Sequence, residues 1–112
     1  IHVKQGYSKC STCIVNTHAI ITSDKTIHRA ALNNTIASLL IQPGTVTLPG
    51  YPYGFIGGAS GLYHDTVYVT GIFSKHPDKI IIEDFIRNHG KNIIYLSKLP
   101  AIDIGSIFFL DI

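Results

Sequence analysis

Residues Gly54–Ser97, GFIGGASGLYHDTVYVTGIFSKHPDKIIIEDFIRNHGKNIIYLS, decide the architecture. The spacing predicts a helix over 77–89. Pro77 suits a first helical position, where its missing N–H has no intrahelical partner to lose, and Asp78 sets a carboxylate near the positive end of the helix dipole. Ile82, Phe85, Ile86 and His89 fall at i, i+3, i+4 and i+7, with Ile81 widening that apolar stripe. Gly90 is placed to end the helix with a positive φ. Glu83 and Arg87 are ordered for a surface pair of about 0.2–0.5 kcal/mol. Before the helix, the glycine-rich residues from Gly54 read as a strand, His64-Asp65 as a tight turn, and 66–72 as the returning strand. After it, Ile93-Ile94-Tyr95-Leu96 is a near-continuous apolar run, the pattern of a strand at 92–97 covered on both faces. The stretch is a ββαβ unit.

Moving toward the N-terminus, the same order of elements recurs. Ile1 to Val15 reads as extended, Asn16-Thr17-His18 as a turn, and Ala19–Thr22 as a returning strand. Ser23 or Asp24 can cap a helix near 24–33 with apolar positions Ile27, Ala30 and Ala31. Asn33-Asn34 is placed to end that helix, asparagine tolerating left-handed φ, and Ile36–Ile41 supplies a buried strand. A fixed offset of 48 sets Gly6 against Gly54, Thr12 against Ser60, Cys13 against Gly61, Ile14 against Leu62, Ile21 against Val69 and Thr22 against Thr70. Past the helices the offset grows to about 55 and pairs Leu40 with Tyr95. The matched order of elements is the argument for duplication. The chain is therefore expected to be one α/β (α+β repeat) domain over 1–112. Unit one covers 1–48, unit two 49–103, and 104–112 opens a third. The connector GTVTLPGYPYG is a turn-rich loop.

The 112 residues suffice for one core, with 46% hydrophobic residues but only 14% charged, against about 25% in ordinary soluble domains. Too few charges remain to cover a free-standing surface, so part of it is expected to face another chain or further units. Ile107-Phe108-Phe109-Leu110, which lacks a partner strand within the chain, is expected in a contact of more than roughly 1,000 Å². The chain has no methionine and opens at Ile1, which reads as a processed product or a piece of something larger. Net charge is +2 and the 9 basic residues are scattered singly, which argues against nucleic acid as a partner. No apolar run approaches the roughly 18–20 residues of a membrane span, so no membrane partner is expected. Two cysteines three apart do not make a secreted disulfide framework, and a cytoplasmic location is the default expectation.

Repeated ββαβ units with a glycine-rich first strand and a strand ending in Thr-Gly before the helix (Thr70-Gly71) resemble the pentein-type α/β-propeller superfamily. That superfamily holds guanidino-group-modifying enzymes and a ribosome anti-association factor. GTVTLPGYPYGFIGGASGLYHDTVYVTG looks like the stretch of that factor where a GTV turn precedes a glycine-rich strand, a turn and a strand. GGASGL, SKHPD and IDIGS look most like an uncharacterised bacterial family of the same fold. The resemblance implies a partial propeller, completed by association or by further units around an axial channel. It implies a protein that binds or hydrolyses a guanidino or amino-acid-like small molecule, or a non-catalytic module that binds a macromolecular partner. The deiminases of the superfamily use a cysteine late in the chain. No cysteine follows Cys13 here, so that nucleophile has no counterpart, and no catalytic residue is assigned.

Each chemical motif also has a plain structural reading. Cys10-Ser11-Thr12-Cys13 has the spacing of a thiol redox pair or half a zinc site. It falls in a predicted strand, where residues three apart point to opposite faces, and no second such pair exists; two structural thiols and no metal are expected. Gly57-Gly58-Ala59-Ser60-Gly61 can cradle an anion with backbone N–H groups, or can let a strand pass close to a neighbouring backbone. His64-Asp65 resembles a dyad, but turn chemistry explains it. Lys75 and His76 can present a cation to an anion at the helix entry, or simply cap the helix. Asp103 is a carboxylate in the otherwise apolar AIDIGSIFF, so it is either bonded to backbone or functional. His2, His18, His28 and His89 sit on turns or helix faces. The ligand-binding candidates are Gly58, Ser60, Lys75, His76, Asp103 and Ser106, with no cofactor.

Overall fold

The computed structural model describes residues 11–43, 46, 56–73 and 78–103. Strands β1 (Thr12–Asn16) and β2 (Ala19–Thr22), helix α1 (Lys25–Asn33) and strand β3 (Ala37–Leu40) form the first half. A 3-10 turn (Ile56–Ala59), β4 (Ser60–Tyr63), β5 (Thr66–Val69), α2 (Lys79–Asn88) and β6 (Asn92–Tyr95) form the second. Each half holds a three-stranded sheet, in the orders β1-β2-β3 and β4-β5-β6. In both, the first pair is antiparallel and the second is parallel across a helix. The fold is thus mixed α/β, with two small sheets and two helices.

Local chemistry accounts for the elements. Asp24 caps α1 through Oδ1, which accepts from Thr26 N (2.8 Å) and Ile27 N (3.0 Å). The helix ends at Asn34, but Asn34 is not left-handed; Thr35 is, at φ 57°, while the Asn34 amide donates to Ala30 O (2.8 Å). In α2, Ile82 and Ile86 are buried, and Gly90 takes φ 79° as its position predicted. Ile81 stays 47% exposed, so the apolar stripe is narrower than expected. Asp78 makes no side-chain cap on α2; its Oδ2 instead accepts from Gln42 N (2.8 Å), tying the two halves together. The β4–β5 turn places His64 at φ 54° with its ring edge-on to Tyr63, and Asp65 accepts from Thr66 Oγ1 (3.1 Å). These are turn contacts and no dyad forms.

The register of each ladder shows which residues share a face, because directly paired residues point to the same side of a sheet. In the first sheet Cys13 pairs with Ile21 and Ile21 with Leu39, while Ile14 pairs with Ile20 and Ile20 with Ser38. His28 Nδ1 lies 2.7 Å from Ser38 Oγ, so α1 covers the Ile20–Ser38 face. In the second sheet Leu62 pairs with Val67 and Val67 with Ile93, and Gly61, Tyr68 and Ile94 line the opposite face. The Tyr95 hydroxyl donates to Glu83 Oε2, which puts α2 on the Val67–Ile93 face.

Three expectations change here. β6 is covered on one face only, since Ile94 is 45% exposed; an apolar run reports burial on both faces only when something sits on both. Ile56–Ala59 is a 3-10 turn rather than the body of a strand, and Ser11 has helical rather than extended backbone. The constant offset also fails after the first strand. A bulge between Ile14 and Asn16 adds one residue to the first hairpin. Ala19 therefore corresponds to Thr66 and Thr22 to Val69, each one residue short of the offset that aligns Thr12 with Ser60. Carbonyl partners agree: Thr22 O accepts from Ile41 N and Val69 O from Leu96 N. The 1–10 strand, the connector body, Pro77 and the opening of a third unit lie outside the described residues.

One apolar core joins the halves. Cys13, Val15, Ala19 and Ile21 share it with Ile56, Ala59, Val67, Val69, Ile82 and Ile86. β1 packs against the 3-10 turn and β4, so the first strands of both sheets meet near the centre.

Candidate functional site

The chain around Thr70 builds the corner where the described candidates meet. Thr70 ends the strand at β5, and its N–H donates to Ala59 O (2.8 Å). Its hydroxyl donates to Ile102 O (2.8 Å) and accepts from Ile102 N (2.9 Å), so one side chain satisfies both backbone groups of Ile102. Ile72 N donates to Leu99 O (2.8 Å) and Ala101 N to Ile72 O (3.0 Å), extending the latch. Gly71 is required for that approach, because a Cβ there would lie 2.2 Å from Leu99 O.

The latch delivers Asp103 into the interior, where it is 7% exposed. Its carboxylate lies against Gly58: a Cβ on residue 58 would fall 1.7 Å from Asp103 Oδ1 and 2.3 Å from its Cγ. Gly58 therefore leaves room for a carboxylate rather than a neighbouring backbone, and Gly58 and Asp103 are brought together as candidates. Ser60 follows at the head of β4. Its Oγ donates to Ile56 O (2.7 Å), closing the 3-10 turn beneath the carboxylate. Lys75, His76 and Ser106 lie outside the described residues.

Cys13 stands beside Ser60. Burial pushes its thiol up to about 11, and the hydrogen bond to Ser60 offsets this only in part. The thiol is free. At neutral pH it is protonated, which makes it a poor nucleophile and a poor metal ligand. Cys10 lies outside the described residues, as does any geometry between the two. Just before Cys13, the side-chain oxygens of Ser11 and Thr12 are buried with no hydrogen-bond partner among the described residues. An unsatisfied buried hydroxyl costs about 1–3 kcal/mol, so two at one strand head mark a place where a water or ligand oxygen fits. Thr22 Oγ1 donates to Ser11 O (3.0 Å) and fixes the backbone there.

Ser11, Thr12 and Thr70 did not figure among the candidates. Thr70-Gly71 was visible as a strand-ending pair, but nothing in the letters told that its hydroxyl would hold Ile102. A separate open cleft of about 400 Å³ lies between the two helix N-termini, lined by Lys25, Gln42 and Asp78 among others. None of the described candidates lines it. No helix among the described residues is long and apolar enough to cross a membrane. No group of three potential metal-ligating side chains occurs among them either.

No curated protein matches the chain, and no solved structure matches it. Residues 1–108 match the model of DUF6873, a family of unknown function, and the chain belongs to that family.

Proposed function

We propose that the chain is a pentein-like repeat module, two units of a partial propeller, which binds a small guanidino or amino-acid-like ligand at the Gly58–Ser60–Asp103 corner. The observation that carries this reading is the Asp103 carboxylate, buried against a glycine where the first strands of the two sheets meet. A carboxylate can take a guanidinium or ammonium through charge-assisted hydrogen bonds. The unpartnered Ser11 and Thr12 hydroxyls offer further polar contacts along the neighbouring strand. Lys75, His76 and Ser106 are proposed as outer contacts on sequence grounds alone. Cys13 takes no part as a nucleophile, because its thiol stays protonated near neutral pH.

Amide chemical shifts followed during titration with arginine, agmatine and guanidinium, with glycine as control, test the reading. Shifts centred on Gly58, Ser60 and Asp103, lost by more than roughly tenfold in affinity in Asp103→Asn, are expected. Shifts spread over exposed acids, or unchanged binding by Asp103→Asn, would refute it.

A second reading, a non-catalytic assembly module in a cytoplasmic setting, is favoured by a different observation. On the second sheet Ile94 is 45% exposed, whereas Cys13 and Ile21 on the matching face of the first are buried. Sedimentation of the purified chain tests it, since a module built for assembly should not run as a monomer.

A further inference from the structure

The parallel strands β2 and β3 end on the same side of the first sheet, with α1 crossing between them. Space outside the carboxyl ends of such strands is where α/β folds commonly seat a ligand. The cleft of about 400 Å³ lies at that place: Ser23 follows β2, Lys25 opens α1, and Gln42 and Pro43 come after β3. Its volume falls within the usual span of small-molecule sites, about 300–1,000 Å³. Asp78, at the head of α2, lines it from the other half of the chain.

This lining sets two opposite charges and an apolar wall in one cleft. Lys25 brings an ammonium. Asp78 brings a carboxylate whose Oδ2 accepts from Gln42 N (2.8 Å), which ties it to the chain leaving β3. Leu40, 36% exposed, and Pro43 supply apolar surface. The first turn of α1 is not the anion site, because Thr26 N and Ile27 N are already taken by Asp24 Oδ1. A ligand carboxylate would meet the Lys25 side chain instead. Asp78 has contacts of its own, and what it contributes to the cleft is negative charge rather than a free acceptor. A cation, an anion and an apolar wall together match a molecule that carries a carboxylate, an ammonium and a short aliphatic chain on one carbon.

We propose that this cleft binds a free aliphatic α-amino acid of leucine size, its carboxylate on Lys25, its ammonium toward Asp78 and its side chain on Leu40 and Pro43. A lone anion is repelled by Asp78 and a lone cation by Lys25, so the pair of charges selects the zwitterion over either half. The cleft shares no residue with the Gly58–Ser60–Asp103 corner, and the proposal does not depend on that reading.

The probe is L-leucine, titrated into the whole chain and followed by amide chemical shifts. Isoamylamine, which lacks the carboxylate, and isocaproate, which lacks the ammonium, are its two halves. Shifts are expected at Ser23, Lys25 and Gln42, with each half binding more weakly than leucine by roughly tenfold or more. Lys25→Gln removes a cation from the positive end of α1, so the helix keeps its stability. It is expected to weaken leucine roughly tenfold and to bring it level with isoamylamine, because the carboxylate has lost its partner. Asp78→Asn keeps an oxygen to accept from Gln42 N and is expected to bring leucine level with isocaproate. No shift at the cleft with leucine up to roughly 10 mM overturns the proposal. So does isocaproate binding as tightly as leucine, the mark of a plain anion site, or a leucine affinity that Lys25→Gln leaves unaltered. A leucine response that is lost in folded Asp103→Asn belongs to the corner and overturns it as well.

Discussion

Substituting Gly58 by alanine tests whether the Asp103 corner is what holds the second half in register. The added Cβ would lie 1.7 Å from Oδ1, 2.3 Å from Cγ and 2.8 Å from Oδ2, so the whole carboxylate is in the way. Asp103 is buried and the Thr70 latch fixes the backbone one residue earlier, so moving the carboxylate aside means repacking a filled interior. Overpacking a filled interior position costs about 1–3 kcal/mol, and displacing a buried carboxylate from its seat adds about 1–3 kcal/mol for the polar group left unsatisfied. A loss of about 2–5 kcal/mol follows, a lowering of the melting temperature by roughly 10 °C or more in a domain of this size. Asp103→Ala removes the obstructing atoms. The double variant Gly58→Ala/Asp103→Ala should then be more stable than the sum of the two single losses, by at least about 1 kcal/mol of coupling. Urea denaturation followed by circular dichroism, with slopes compared across the four proteins, measures it. Additive losses, or a Gly58→Ala cost under about 0.5 kcal/mol, would refute the steric account. Gly71→Ala is the internal control: its Cβ meets backbone atoms of Leu99 and Pro100, which no side-chain truncation can relieve.

Two further outcomes are expected. Burial pushes the Cys13 thiol up to about 11 in the folded chain, from an ordinary 9.0, so its contribution to stability is full below 9.0 and is lost as pH rises toward 11. Cys13→Val should flatten part of that alkaline limb in chemical denaturation, while the loss from Tyr95 remains, its phenol also being pushed up, first by burial and then by Glu83. Thr70→Val keeps the shape of the side chain but strips both bonds to Ile102, at about 1–3 kcal/mol; hydrogen exchange should then rise at Ile102 and Ala101 while α1 stays protected.

Much of this fold was legible because it is written in local chemistry. Helix α2, its Gly90 stop and the His64-Asp65 turn follow from spacing and from residues that tolerate positive φ. The Asp24 cap and the core positions Ile82 and Ile86 are equally local. What escaped is non-local. A bulge leaves no mark in letters as ordinary as Ile14-Val15-Asn16, so one constant offset was carried too far along the second strand. Apolar runs report the capacity for burial rather than its presence, and so β6 appeared covered on both sides. At the candidate corner, Asp103 was conspicuous as an acid among apolar residues and Gly58 as part of a glycine cluster. That one requires the other is a distance between segments 45 residues apart, which only the fold supplies.

The contrast between the two strand heads carries the functional argument one step further. Thr12 and Ser60 occupy matching positions at the starts of β1 and β4. Ser60 is fully employed: its hydroxyl closes the 3-10 turn that seats Asp103. Thr12, by contrast, is half-buried with its hydroxyl oxygen shielded and unpartnered among the described residues, as is that of the buried Ser11 beside it. If the Thr12 hydroxyl has no bonding role in the fold, replacing it by an apolar group of similar shape is close to neutral or stabilising. A polar ligand bound at the head of β1 would satisfy both hydroxyls. Thr12→Val separates the two accounts. Equal or greater stability together with weakened ligand response at Gly58 is the signature of a binding role, whereas a loss of stability above about 1 kcal/mol would mean that the hydroxyl supports the fold itself and that the binding argument from Thr12 fails.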